Sequence, residues 1–332
     1  MSYHNKNSCM FEIYRHQRDA FSSGCVYKKQ TGVVLVIALF IVALVAAMSF
    51  AMMGRLERDT RRTTLLIRNI QAEFVAQGSI AWAMDQLRND WIRQKTNRVI
   101  DPTPIQSPIN EMNGYQINSK IYDMQARFNL NNLTDLQTHE GFQHLLKTID
   151  PKLSEGKINE IIRGIIDWIT LDKKQNDYYD YYLSLPTPYR AAHRAMWSVD
   201  ELRLIKGMTP QLFNALKSYI VALPESTLVN VQTASAPVLM TLSSTLNLAA
   251  AQSIVEARKQ TPITTPQQFI NLNGIKNQPI TADKISVVSK YFLVETNVVI
   301  EKQHILIYTL LERRVTSGKV EMVVWWQSKG IW

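Results

Sequence analysis

An acidic segment near the middle of the sequence, DWITLDKKQNDYYDYY, holds a candidate set of metal ligands. Its carboxylates belong to Asp167, Asp172, Asp177 and Asp180. Carboxylates that converge in a loop suit a hard cation such as Ca²⁺, which takes about six to eight oxygen ligands. The spacing differs from that of an EF-hand loop, however, and Lys173 and Lys174 lie inside the segment. Two interpretations stay open: a calcium site, or a solvated acidic turn beside surface tyrosines.

The sequence offers few residues for catalysis. After residue 32 its histidines are His139, His144, His193 and His304. His139 and His144 are five positions apart in a predicted helix, which is a poor spacing for two ligands of one metal ion. The sequence has no HExxH, no GxSxG and no glycine-rich phosphate loop, and its two cysteines exclude a four-cysteine zinc site. We therefore predict that the protein is not an enzyme, and apart from calcium we predict no cofactor.

A nucleic-acid site is the alternative from a different functional class. Residues 229–234, 254–258 and 269–275 have the character of helix-hairpin-helix units, whose glycines expose backbone N–H groups to phosphates. No glycine lies between Ala234 and Arg258, and the basic density around Gly207 is modest. Binding to nucleic acid is therefore disfavoured, although a membrane-anchored DNA-binding protein of an uptake system remains the second hypothesis.

The clearest element in the sequence is an apolar run near its start. Residues 33–53 form 21 consecutive positions of which only Ser49 is polar. As a helix this run is about 30 Å long, which matches the hydrocarbon thickness of a bilayer. It is longer than the apolar part of a secretory signal peptide, and no small-x-small cleavage site follows it. We predict a transmembrane helix.

Basic residues flank both ends of this run. Lys28 and Lys29 precede it, and five arginines between residues 55 and 68 follow it. The positive-inside count alone would therefore place the second end in the cytoplasm, but a long domain can cross a membrane regardless of charge. A peptidase acting on the cytoplasmic side would cut after Gly32 and leave the apolar helix attached.

Beyond the membrane run the helical pattern continues. No proline occurs before Pro102, and apolar residues recur three or four positions apart to about residue 95. They are Leu66, Ile70, Phe74, Ala81, Met84, Leu87 and Trp91. This spacing predicts one long helix whose second part packs its apolar stripe against a sheet.

The full chain of 332 residues has 46% apolar residues and a net charge of +9. The pattern of strands and helices beyond the long helix predicts an α+β fold. Residues 115–122, 291–300, 304–313 and 319–326 have strand character, and short helices are predicted between them. The helices are expected at 141–149, 154–171, 198–205, 210–221, 234–243, 248–259, 265–272 and 281–288. A large all-α domain inserted between strands of one antiparallel sheet explains this order. The predicted divisions are 1–32, 33–53, 54–133, 134–289 and 290–332.

With these residues in view, the chain resembles the general secretion pathway protein K family, the large minor pseudopilins of type II secretion. The most specific stretches are PYRAAHRAMWSVDELRLIKGMTPQLFNAL at 188–216 and LVNVQTASAPVLMTL at 228–242. RFNLNNL at 127–133 and DWI at 167–169 add to the resemblance, and Lys28, Lys29 and Gly32 have the form of a prepilin-type leader.

The resemblance implies a fold, a location and partners. Residues 1–32 would be a leader that the prepilin peptidase removes after Gly32, with methylation of the Val33 amine. The helix would cross the bacterial inner membrane once, with its amino end in the cytoplasm and a pilin-like domain in the periplasm. Family members are thought to cap the pseudopilus tip with minor pseudopilins I and J. Other pseudopilins, the inner-membrane secretion platform and secreted cargo are further implied partners.

Two positions depart from the wider pattern. Most pilin-like subunits have glutamate at the fifth mature residue, where it pairs with a neighbouring subunit's terminal amine, whereas this chain has Ile37. An unpaired carboxylate in lipid costs about 3 kcal/mol, so a tip subunit with no amine above it gains from an apolar residue. The family also implies calcium in the acidic segment. Asp167 and Asp172 match that pattern, but Thr170 stands where an acid is usual.

Overall fold

The computed structural model describes residues 31–95, 104–112, 114–171, 178–300 and 303–330. The chain divides into two compact units, residues 1–64 and 65–332. Helix α1, Thr31–Lys95, contributes to both units. Within the first unit the described residues are helical, and nearly all are exposed. The predicted long helix is confirmed.

The second unit contains a six-stranded antiparallel sheet. Its strands are β1 (Ile105–Gln106), β2 (Asn110–Met112), β3 (Tyr115–Asp123), β8 (Tyr291–Ile300), β9 (Gln303–Thr316) and β10 (Lys319–Lys329). They lie in the order β1-β3-β8-β9-β10, with β2 also paired to β3. Strand β3 therefore lies beside β8 although nearly 170 residues separate them in sequence, and Asp123 lies opposite Phe292 in that pair. The helical region connects these two adjacent strands, so the predicted α+β class is confirmed.

The part of α1 that follows Leu65 packs on one face of this sheet. The helix residues that are fully or almost fully buried there are Ala72, Ala76, Ile80, Ala83 and Leu87. The predicted stripe was wrong at Leu66, Ile70 and Phe74, which are all more than half exposed, and at Ala81, which is also exposed. Alanines bring the helix backbone close to the sheet, and Ile80 and Leu87 add larger side chains to the same buried face. Periodicity alone could not distinguish these two faces of the helix.

The region between β3 and β8 contains the remaining elements. They are β4 (Phe128–Asn129), α2 (His139–Ile149), α3 (Glu155–Ile169), α4 (Tyr179–Leu183), α5 (Pro210–Leu216), β5 (Ile220–Val221), β6 (Val229–Asn230), α6 (Ala236–Leu239), α7 (Leu248–Gln260), α8 (Pro266–Ile270) and β7 (Ile285–Ser286). Two hydrophobic cores lie here, one around α2, α3 and α5 and one around α6, α7 and α8. Predicted helix starts at Ser198 and Thr209 are confirmed as side-chain caps.

Several predicted helices are shorter than expected or absent. The helix expected at 210–221 ends at Leu216, and its last residues form β5, which pairs in parallel with β4. The helix expected at 281–288 contains a 3₁₀ turn and then β7, which pairs with β6. Residues 198–205 form a 3₁₀ helix. In both strand pairs, backbone groups bond to a distant segment instead of their own helix, and a local pattern does not reveal this.

The asparagine-rich stretch at 127–133 holds distant loops together. The Asn131 side chain donates to the carbonyls of Met196 and Leu223 and accepts from the Met196 N–H, with N···O distances of 2.8–3.0 Å. Asn129 in turn accepts from the Leu223 N–H and donates to the Glu225 carbonyl. A side-chain amide can both donate and accept hydrogen bonds. These asparagines therefore satisfy backbone N–H and C=O groups of the loops, as a neighbouring strand would.

Candidate functional site

The predicted processing site lies at the beginning of α1. Gly32 and Val33 are its second and third residues, and Val33 is 61% exposed. Nothing lies within 4 Å of the position that a Cβ on Gly32 would occupy. Lys28 and Lys29 lie outside the described residues. The described part of the site is thus open on all sides, and the cleavage position stays a prediction.

The apolar first part of α1 is suited to lipid. An 18-residue window of the helix has a mean hydropathy of 3.1, and none of that window is buried within the protein. Ile37 is 53% exposed, like its neighbours on every side of the helix. A helix that is apolar all round and covered by no other part of the described chain matches the length and composition of a membrane span.

The structure places the four aspartates of the acidic segment in different settings. Asp167 lies in the last turn of α3 and is 4% exposed, whereas Asp180 lies in the first turn of α4 and is exposed. Asp172 and Asp177 lie outside the described residues. Among the described residues, no three His, Cys, Asp or Glu side chains converge as metal ligands. A calcium site would therefore need ligands from outside the described residues, such as Asp172 or Asp177.

The surroundings of Asp167 are aromatic. The ring of Tyr182 meets that of Trp168 edge-on, with centroids 6.2 Å apart, and Tyr189 packs on both rings. Burial raises the pKa of the Tyr182 phenol, and the negative charge of Asp167 raises it further. The Trp168 indole N–H donates to Glu201 at 2.8 Å. The flanks of the acidic segment are thus held by a packed aromatic cluster.

Asp123, at the end of β3, connects the sheet to the helical region. Its Oδ2 accepts from Asn230 at 2.9 Å, from Thr233 at 2.6 Å and from Ser289 at 2.7 Å, while Oδ1 accepts from the Gln125 N–H. Burial raises the pKa of Asp123, and the four hydrogen bonds offset part of that rise. The joint between the two regions is therefore a hydrogen-bonded carboxylate, which local sequence reasoning missed.

Glu312 on β9 is a further buried carboxylate. Its side chain is 3% exposed and accepts from Trp325 at 2.6 Å and Arg314 at 2.8 Å, with the Lys290 ammonium at 3.0 Å. Burial alone would raise its pKa, but the hydrogen bonds from Arg314, Lys290 and Trp325 outweigh it and lower the pKa to about 2. The signal that could have identified it is the adjacent charged residues Glu312 and Arg313, which directly follow two leucines inside a predicted strand.

This geometry predicts a specific loss of stability in acid. Because its folded pKa is depressed, Glu312 stabilises the fold above its unfolded pKa of about 4.5, and that contribution disappears as the pH falls towards 2. The contribution is roughly 3 kcal/mol. Glu312→Gln should therefore flatten the decrease in unfolding free energy between pH 5 and 2, measured by denaturant titration. Glu321→Gln, an exposed change on β10, should leave that slope unaltered.

Comparison with known proteins identifies the family. Two family models for type II secretion system protein K match residues 126–225 and 229–288. The chain is 28% identical to the type II secretion system protein K of Pseudomonas aeruginosa, over 89% of this chain and 92% of that protein. The Klebsiella pneumoniae protein K is 26% identical over 86% and 93% of the two chains.

A solved structure shows the same fold. It is the GspK-GspI-GspJ complex from the type 2 secretion system of enterotoxigenic Escherichia coli, with a TM-score of 0.64 and 19% identity. The similarity covers 81% of this chain and 99% of the matched chain. The matched family segments coincide with the helical region that separates β3 from β8. This chain belongs to the type II secretion system protein K family.

Proposed function

We propose that this protein is a minor pseudopilin at the tip of a type II secretion pseudopilus, where it initiates or caps assembly and supports protein export. Membership of the protein K family is the observation that carries the proposal. The similar solved protein is in a complex with GspI and GspJ, so we propose the corresponding minor pseudopilins as partners. Other pseudopilins, the inner-membrane secretion platform and secreted cargo complete the proposed set.

The first part of α1 would anchor this subunit in the bacterial inner membrane by a single span. The amino end would lie in the cytoplasm and the unit from Leu65 onward in the periplasm. Support comes from the exposed apolar helix and from Ile37 at a position where other pilin-like subunits have glutamate. An isoleucine needs no charged partner in lipid. It therefore suits a tip subunit, which has no subunit above it to supply a terminal amine.

Processing and assembly provide the test. The mature membrane protein should begin at Val33, with a methylated amine, when it is analysed by amino-terminal sequencing and mass spectrometry. Gly32→Leu should leave the leader attached in nearly all molecules, because it places a bulky side chain directly beside the proposed cleavage bond. Gly54→Leu, with similarly open surroundings on the same helix, is the matched control and should be processed normally.

Two results would contradict the proposal. A mature chain that begins at Arg55 or later and is free in solution would exclude the anchored tip subunit. Failure of minor pseudopilins I and J to co-purify with the mature full-length protein, under conditions where they bind each other, would exclude the tip complex.

We also propose a calcium ion in the acidic segment, held by Asp167 and Asp172 with help from Asp177 or Asp180. Ligand binding to the folded state alone adds about 2.7 kcal/mol at 100 times the dissociation constant. Millimolar Ca²⁺ should therefore raise the melting temperature of the full-length protein in detergent by several degrees, and Asp172→Asn should remove the rise. Equal melting temperatures with Ca²⁺ and with a chelator would contradict this prediction.

A further inference from the structure

A group of exposed arginines begins directly after the apolar part of α1. Arg55, Arg58 and Arg62 lie three and four positions apart on the continuous helix, so they share one of its faces. All three residues are exposed. Within the described part of the chain, no carboxylate forms an ion pair with any of them. These three residues form an arginine stripe.

The acids of this segment leave the stripe with a positive balance. Glu57 lies two positions from Arg55, on a different side of the helix, and its carboxylate is bound to Arg61 at 3.0 Å. Asp59 lies beside the stripe, four positions after Arg55, and offsets one of its three charges. The stripe together with Asp59 therefore keeps two positive charges on one face of the helix.

The distance of the stripe from the apolar run places it among lipid headgroups. Along the helix axis, Arg55, Arg58 and Arg62 lie about 3, 8 and 14 Å beyond Met53, where the apolar run ends. The headgroup region extends about 5–8 Å beyond the hydrocarbon on each side of a bilayer. Side chains on a helix tilt towards its amino end, so arginines that follow a span reach back towards the bilayer. The stripe thus covers the headgroup layer and the first Debye length, about 8–10 Å, of the solution outside it.

The position of these charges opposes the proposed orientation of the span. Basic residues favour the cytoplasmic side of a membrane, whereas the proposed function places this end of the span in the periplasm. Solubility does not account for the stripe, because uncharged polar residues would hydrate this face without opposing the orientation. An attraction on the periplasmic side accounts for it.

We propose that the arginine stripe binds the phosphate groups of anionic phospholipids on the periplasmic surface of the inner membrane, an inference that rests on the proposed function. Guanidinium groups bind phosphate in bidentate geometry. Basic residues next to a membrane are attracted to anionic lipid, and the attraction falls off within a Debye length. Lipid is favoured over an acidic polypeptide, because the span itself holds the stripe at the headgroups before any partner protein arrives.

The test uses the full-length protein reconstituted in phosphatidylcholine vesicles that contain a trace of spin-labelled lipid. Electron paramagnetic resonance measures the fraction of label that the protein immobilises, for labelled phosphatidylglycerol and for labelled phosphatidylcholine. The phosphatidylglycerol label should associate at least twofold more strongly at low salt. Molar salt should bring the two labels close to equality, since it shortens the Debye length to about 3 Å.

Two charge-matched variants locate the effect. The test variant replaces the whole stripe, as Arg55→Gln, Arg58→Gln and Arg62→Gln in one chain, and should lose at least half of the lipid preference. The control variant removes the same charge from exposed positions of the second unit, by Lys157→Gln, Arg163→Gln and Lys276→Gln, and should keep the preference. Lys28 and Lys29 are present in both variants, so any preference that they cause is common to both.

Four outcomes would overturn the proposal. They are equal association of the two labels, a preference that molar salt leaves unchanged, the same loss in both triple variants, and loss of the preference when inorganic phosphate is added at constant ionic strength. The last would assign the stripe to free phosphate. Flotation of the vesicles separates this proposal from the membrane anchor. A protein that floats with the vesicles but shows no lipid preference contradicts only the stripe, whereas a protein that does not float contradicts the anchor.

Discussion

Replacing Gly141 by alanine is expected to destabilise the protein by about 3 kcal/mol, at the upper end of what overpacking costs. Alanine normally stabilises a helix relative to glycine by about 0.5–1 kcal/mol. At Gly141 we expect the opposite, a loss of stability. The reason is the close approach of α2 to the 3₁₀ turn Met240–Leu242. A Cβ on Gly141 would lie 2.1 Å from the Thr241 carbonyl oxygen, and the contacted atom is backbone, which cannot rotate away.

Gly156 provides the matched control. It also lies in the first turn of a helix, α3, but it is exposed, and nothing lies within 4 Å of the position that a Cβ would occupy there. Gly156→Ala should therefore be neutral or slightly stabilising. The measurement is thermal unfolding of the full-length protein in detergent. Gly141→Ala should lower the melting temperature by roughly 6–12 °C. Similar melting temperatures for the two variants would show that α2 does not approach the turn this closely.

Replacing Arg313 by methionine is expected to cost about 3–5 kcal/mol, the range for breaking a buried ion pair on one side. The Arg313 side chain is 1% exposed and lies 3.1 Å from Asp90 of α1. It also donates to the carbonyl oxygens of Leu87 and Ser289, at 3.2 and 2.7 Å. One guanidinium thus joins the helix, the sheet and the segment that returns from the helical region. Methionine fills similar space but removes the guanidinium donor from all three acceptors.

The neighbouring Arg314 is the matched control, because it has the same charge as Arg313 but is partly exposed. The Arg314 side chain is 46% exposed and donates to Glu312, which keeps Lys290 and Trp325 as further donors. Arg314→Met should therefore cost about 1 kcal/mol, as for other partly exposed ion pairs. Limited proteolysis and denaturant unfolding would measure the stability of both variants. A loss below about 1 kcal/mol in Arg313→Met would mean that this side chain does not join the three elements.

The sequence by itself determined the elements whose cause is local. The length and composition of the apolar run at 33–53 are enough to predict a candidate membrane span, and the absence of proline before Pro102 lets the helix continue. The four main strands and the helix caps at Ser198 and Thr209 follow from residue type and spacing over a few positions. The family resemblance likewise lies in short contiguous motifs, which depend on no tertiary contact.

The tertiary structure alone decided the features that depend on distant partners. Alanines, with Ile80 and Leu87, form the buried face of α1 because the sheet approaches there, and no periodic pattern distinguishes that face from the one bearing Phe74. The parallel pairing of β4 with β5 turned the end of an expected helix into a strand. The structural roles of Asp123 and Arg313 depend on hydrogen bonds to residues more than 100 and more than 200 positions away in sequence, respectively. Burial and long-range hydrogen bonding are properties of the assembled fold, because each requires a partner that the local sequence does not contain.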